Sequence, residues 1–151
     1  MLDKAVFDPE KLSILDFKFI KGQVETPEDF DIEKIDGHHL ENSLLLATDM
    51  TQNLIKADFT IEIKTDSLGQ NAEEATGSFH LVFIYKVENL EELANWQNPN
   101  ILELNPVLGN ALASITYSTA RGIMLTRLQG TAFMDFILPI INPNKLLHHN
   151  K

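Results

Sequence analysis

The chain has 151 residues, 44% of them hydrophobic, enough apolar material for one folded domain and too much for wholesale disorder. A formal net charge of −10 repels phosphates and anionic lipid heads, which disfavours nucleic acid and membrane surfaces as partners. The absence of cysteine excludes a disulfide framework, a thiol nucleophile and a cysteine zinc site, and fits a reducing compartment.

Met1 to Glu10 has no clear period and is expected to be loose, as is the polar tail His148 to Lys151. The start lacks the basic residues and unbroken apolar stretch of a signal peptide. No stretch reaches the roughly 18 apolar residues of a membrane span. A cytoplasmic protein without membrane insertion is expected.

Leu12 to Val24 alternates. Leu15, Phe17 and Phe19 point one way and Asp16, Lys18 and Ile20 the other, which predicts a strand with one buried face. Glu25-Thr26-Pro27-Glu28-Asp29 breaks it, and the mixed polar run Phe30 to Asn42 reads as a crossing loop. Leu44 to Met50 suits a strand, although Leu44-Leu45-Leu46 also suits a helix. Ile55 to Lys64 is a clean strand, separate from the previous segment or continuous with it through a bend. A polar turn follows from Asp66 to Gly77, then a strand from Ser78 to Val87. On that strand Val82 and Ile84 make the second face partly apolar, so both faces are expected to be covered.

Glu88 to Trp96 reads as a short helix, with Pro99 soon after its end. Asn105-Pro106 is a helix start, N-cap then first helical position, and the helix is expected to reach Gln129. Small residues crowd it, and Gly122 suggests a packing or bending reason. Gly130 suits the left-handed residue after a helix end. Thr131 to Ile141 is apolar and fits either a strand or a second helix until Pro139. The sum is one α+β domain over 1–151: an antiparallel sheet of about four strands, with a long and a short helix packed on it.

Several segments in this order resemble the SecB-type protein-export chaperones. Gln23-Val24-Glu25-Thr26-Pro27 is similar to the family's Ser-Phe-Glu-Ala-Pro at the end of its first strand. Ser67-Leu68-Gly69 falls at a family turn, and Asn100-Ile101-Leu102 resembles the Pro-Asn-Ile-Leu before the long helix, with extra residues intervening. Ala120-Arg121, Gly130-Thr131 and Leu138-Pro139-Ile140-Ile141-Asn142 with Leu146-Leu147 match further points. The family's Phe-Pro after Gly-Thr is replaced by Phe133-Met134.

The resemblance implies a SecB-like fold, a homodimer or homotetramer, and an ATP-independent holdase that binds unfolded polypeptide clients in apolar grooves. Export and antitoxin protection in toxin–antitoxin systems are both roles of such proteins. In the family an acidic pair on the first strand docks the motor SecA. Glu25 matches one of the pair, while the other position holds Lys21, a reversed charge that should weaken docking.

Phe17, Phe19, Val82, Ile84, Tyr85, Trp96 and Met124 are the candidate peptide-binding residues, and Glu25 the candidate partner-docking residue. Val82 and Ile84 suit ordinary sheet core equally, and Trp96 suits packing of the short helix as well as a partner anchor. Arg121 reads as structural rather than as a client contact. Asp36, His38 and His39 make a poor chelate, because adjacent histidines on an extended segment face opposite ways, so no metal is expected. No catalytic motif, cofactor or enzyme activity is expected: neither Gly-x-Ser-x-Gly nor Gly-x-Gly-x-x-Gly occurs. The alternative from another class is a small-ligand-binding or structural protein-interaction domain.

Overall fold

Four long strands form one antiparallel sheet in the order β1-β4-β3-β2. They are β1 (Leu12–Glu25), β2 (Ile35–Asp49), β3 (Leu54–Ser67) and β4 (Thr76–Val87). The computed structural model describes residues 6–69 and 73–148. Met1 to Ala5 and His149 to Lys151, expected to be loose, lie outside the described residues, as does Asn71 of the polar turn. Residues Pro9–Lys11 form a 3-10 turn capped by the Asp8 carboxylate.

Hydrophobic alternation decides which face is buried. On β3, Ile55, Ala57, Phe59, Ile61 and Ile63 are buried; on β4, Phe79, Leu81, Phe83, Tyr85 and Val87. Register puts Phe59 opposite Leu81 and Ile61 opposite Phe79, so the two rows share one face. The segments around Leu46 and Ile55 are separate strands, with Asn53 in the left-handed region at φ 57° just before β3. At the other end Glu74 ties the β3–β4 connection. It accepts from the Ser67 amide (2.7 Å), the Ser67 hydroxyl (2.7 Å) and the Thr65 hydroxyl (3.1 Å).

That buried face is covered by the long helix. Asn105 accepts from the Val107 and Leu108 amides, Pro106 is the first helical residue, and the helix runs to Arg127. At about 1.5 Å per residue it is about 33 Å long. Leu108, Leu112, Thr116, Tyr117, Ala120 and Met124 recur at helical spacing and are buried. Tyr85 and Thr116 join sheet to helix through a buried hydroxyl pair at 2.6 Å. Gly130 ends the segment at φ 79°, as a residue without Cβ allows. Gly122 is exposed with open space where a Cβ would stand, so no packing within this chain requires it.

Three segments depart from the sequence expectation. β2 takes in most of the expected crossing loop, Ile35 to Asn42. His38, Leu40, Asn42 and Leu44 alternate with more polar residues, and an edge strand tolerates such a polar run because only Leu44 is buried. The expected short helix Glu88 to Trp96 shrinks to the single turn α1 (Leu90–Leu93). The chain then makes a hairpin, β5 (Ala94–Asn98) with β6 (Ile101–Leu104), turning where the Asn98 side chain accepts from the Asn100 amide. The long helix is therefore α2, and α3 (Asn144–His148) lies against α2 and β2. Between them, residues 131–141 are neither strand nor regular helix, because turns at Thr131 and Phe133 and the proline at 139 interrupt them.

Candidate functional site

The strand order leaves β1 and β2 as the two edges of the sheet. Beside β2 opens a cleft of about 430 Å³, lined by His38 and Leu40 from the strand and by Asp135, Phe136, Ile137 and Pro139 from the segment after α2. Its position follows from the chain stop at Gly130. Thr131 donates its hydroxyl to the Leu128 carbonyl (2.7 Å) and accepts from the Phe133 amide (3.1 Å), which turns the chain back toward the sheet. Phe133 becomes fully buried and Phe136 nearly so. The His38 ring packs 5.1 Å from Phe136 and 6.0 Å from Phe133. Burial lowers the His38 pKa against the opposing pull of Asp135, so the imidazole is neutral at neutral pH.

Two helix residues fasten the far wall. Arg121 donates through Nε to the Leu138 carbonyl (3.0 Å) and through Nη2 to the Pro139 carbonyl (3.3 Å), and Tyr117 donates its hydroxyl to the same Pro139 carbonyl (2.5 Å). The guanidinium lies 5.1 Å from the Tyr117 ring centre. Arg121 thus has the structural role expected of it. The wall keeps an apolar outer surface, with Met134 43%, Ile137 58% and Ile140 91% exposed. Leu40, Phe136, Ile137 and Pro139 bring apolar groups, and Asp135 one carboxylate, beside an edge strand of the sheet.

The β1 edge is different. None of its 14 residues is buried. Two bulges, between Ile14 and Asp16 and between Phe19 and Lys21, leave Leu15 and Ile20 as extra residues at 56% and 54% exposure. The simple alternation expected for this strand is therefore broken twice. Phe17 and Phe19 still face α2, packing 5.0 Å from Phe83 and 6.4 Å from Phe79, and the Arg127 guanidinium covers Phe19 at 4.1 Å. Gly22 gives the Phe19 ring its room: a Cβ there would stand 2.5 Å from it. Glu25, Lys21, Gln23 and Glu62 line a shallow polar depression of about 240 Å³ on the other face of the sheet, where Glu25 accepts from the Gln23 side chain.

The expected peptide-binding residues do not gather in one place. Tyr85 faces α2 from β4 and Met124 lies on the buried face of α2, so both belong to the core. Val82 is 5% exposed on the opposite sheet face, flanked in register by Lys18 and Asp58, and Ile84 is half-buried there. Phe17 and Phe19 lie on β1, and Trp96 is exposed on the hairpin rather than packed under a short helix. The cleft residues His38, Leu40, Phe136 and Ile137 were missed. Their one sequence signal was the period-two row His38, Leu40, Asn42, Leu44 inside the apparent loop. His38 and His39 point to opposite faces of β2, His39 toward Asp66 at 3.9 Å, and among the described residues no three ligand-type side chains converge. No helix among the described residues is long and apolar enough to cross a membrane.

No family model matches the chain, and no curated protein matches it. Among solved structures it is similar to a SecB-like chaperone of Mycobacterium tuberculosis in complex with a ChAD peptide from the HigA1 antitoxin. The two share 14% identity at a TM-score of 0.59, over 87% of this chain and 92% of that chain. At that identity the likeness establishes a SecB-like fold.

Proposed function

We propose that the protein is an ATP-independent holdase that takes unfolded or extended polypeptide into the cleft beside β2. The observation that carries this reading is the cleft itself: Leu40, Phe136, Ile137 and Pro139 together with His38 and Asp135 line an open cleft beside an edge strand, with exposed Ile140 next to Pro139 in sequence. Apolar burial supplies affinity and edge pairing tolerates many sequences, the combination a client-holding protein needs. The fold shared with a chaperone that holds an antitoxin peptide supports the same reading. Export and antitoxin protection both fit. The positive Lys21 beside Glu25 weighs against handover to SecA, so antitoxin protection is the stronger of the two.

The proposed activity is binding, without catalysis or a cofactor, in the cytoplasm. The bare β1 edge, with Leu15 and Ile20 exposed, is read as the surface where copies of the chain pair into a dimer or tetramer. The test is suppression of aggregation of a denatured client at near-stoichiometric amounts without nucleotide, with the mass of the complex followed by light scattering. Ile137→Asp should leave the fold intact, since the side chain is exposed, and abolish suppression. A chain that leaves client aggregation unchanged would overturn the holdase reading and favour a small-ligand or structural domain.

A further inference from the structure

The wall of the cleft that returns from α2 is fixed at two points. The first is Phe133, fully buried and so close under β4 that a Cβ on Gly77 would stand 3.3 Å from its ring. The second is the pair of carbonyls at Leu138 and Pro139, held by Arg121 and Tyr117. Neither point holds a group that titrates between pH 5 and 8. Between them run Met134 to Ile137. Met134, Asp135 and Ile137 are exposed, while Phe136 turns inward and its amide donates to the Phe133 carbonyl at 2.9 Å. The ring that meets Phe136 from β2 is His38, 5.1 Å away.

A neutral imidazole packs on phenyl rings; an imidazolium carries a charge that must keep water or a partner. The surroundings of His38 offer little in exchange for water. β3 places neutral, buried Thr65 opposite it, and Lys64 and Asp66 alternate to the other face, where Asp66 lies 3.9 Å from His39. On β2 itself Asp36 is exposed and Glu41 falls on the far face. Arg121 of α2 is taken up by the two carbonyls, and Lys145 of α3 is exposed. Asp135 is the charge that favours the imidazolium, and burial outweighs it.

We propose that Met134 to Ile137 form an acid-released lid on the cleft and that His38 is its catch. The neutral ring holds Phe136 against β2. Once protonated it turns to water, Phe136 loses its partner, and the four residues swing out between the two fixed points. Linkage gives the sign: the closed lid lowers the ring's affinity for a proton, so protons favour the open lid as pH falls below about 6.5. The lid rests on the geometry of the wall and stands whether or not the cleft holds a client.

Hydrogen exchange of the Phe136 amide, corrected for the intrinsic effect of pH, reads the lid in the full chain without a client. That amide should be at least about tenfold less protected than the Phe59 and Phe83 amides of the core strands, and a little urea should leave its exchange unchanged, as local opening requires. Its protection should fall severalfold from pH 7.5 to 5.5. His38→Phe keeps a ring against Phe136 and should abolish that fall. Asp135→Asn, an exposed substitution that removes the opposing pull, should carry the fall further into acid. Protection that is constant or rises toward acid, an equal fall in His38→Phe, or exchange of Phe136 only together with Phe59 and Phe83 would each overturn the proposal. Aggregation suppression enters none of these readings, so the lid and the holdase fail separately.

Discussion

The two outer strands of the sheet are nearly equal in length, 15 and 14 residues, yet they stand in opposite relations to the rest of the molecule. β2 is backed by a returning segment whose aromatic side chains enter the core, so its cleft has a rigid floor. β1 has no buried residue, is bulged twice, and offers apolar side chains directly to solvent. A sheet edge can thus be open in two senses. Beside β2 it is open to side chains, through a shaped pocket; along β1 it is open to another backbone. Backbone pairing tolerates varied sequence at either edge, and the cleft beside β2 adds a selection of side chains that β1 does not offer.

Core truncation tests the contrast most severely. Phe133 has no exposure and packs against His38 of the β2 cleft, so Phe133→Ala should cost about 3–5 kcal/mol in urea unfolding. Phe17 on β1 is 37% exposed, and Phe17→Ala should cost about 1 kcal/mol. Equal costs would show that β1 is as well covered as β2, and a cost at Phe17 that rises with protein concentration would trace the cover to another copy.

A smaller effect is expected from the clasp. Arg121→Met removes two charged hydrogen bonds from the Leu138 and Pro139 carbonyls and should cost about 2 kcal/mol. Amide exchange should quicken around residues 138–141 while β1 is unaffected, and client suppression should weaken. Unchanged exchange there would mean that packing of Phe133 and Phe136 alone sets the cleft wall.

Acid should separate the edges too. Because burial holds the folded His38 pKa below its ordinary 6.5, the unfolded chain takes up a proton that the folded chain refuses. Stability should therefore fall as pH drops below about 6.5 and level off below the folded pKa. Glu74 works in another window. The Ser67 hydroxyl, foremost, holds its pKa below 4.5, so its contribution is present above that value and is lost as pH falls further. Urea midpoints at pH 7.5 and 5.5 should differ in the native chain and differ less in His38→Phe. An identical loss in both would remove His38 from the account.

The sheet's inner half was legible in the sequence, and the edges much less so. β3 and β4 read cleanly because both are flanked by strands and packed under α2, so their inward rows alternate, with Val82 also buried on the other face of β4. Asn105-Pro106 and Gly130 marked the helix because caps are local chemistry. β2 hid as a loop: an edge strand needs few buried residues, and Asp36, Gly37 and Glu41 are tolerated there. The bulges at Leu15 and Ile20 left no mark, since an extra apolar residue looks like a continuing pattern. Trp96 was read onto a helix because Leu90 and Leu93 start one, and nothing in the sequence before Asn98-Pro99-Asn100 announces that the chain reverses. The cleft was illegible for a further reason: its two walls are almost a hundred residues apart, and the packing of His38 against Phe133 and Phe136 joins them.

The least perturbing test of the contrast is a charge placed on the bare edge. Leu15 and Ile20 are bulge residues more than half exposed, so Leu15→Lys or Ile20→Lys should change monomer stability by no more than about 0.5 kcal/mol. Lysine on a sheet edge opposes strand pairing between molecules, because it must be desolvated for the second chain to approach. If β1 is where copies pair, either substitution should lower the solution mass by half or more, while leaving the cleft beside β2 untouched. Retained aggregation suppression by the smaller species would place client binding and assembly on opposite edges. Suppression lost together with mass would show that the cleft needs a second copy to act, and an unchanged mass would free the β1 edge from any role in assembly.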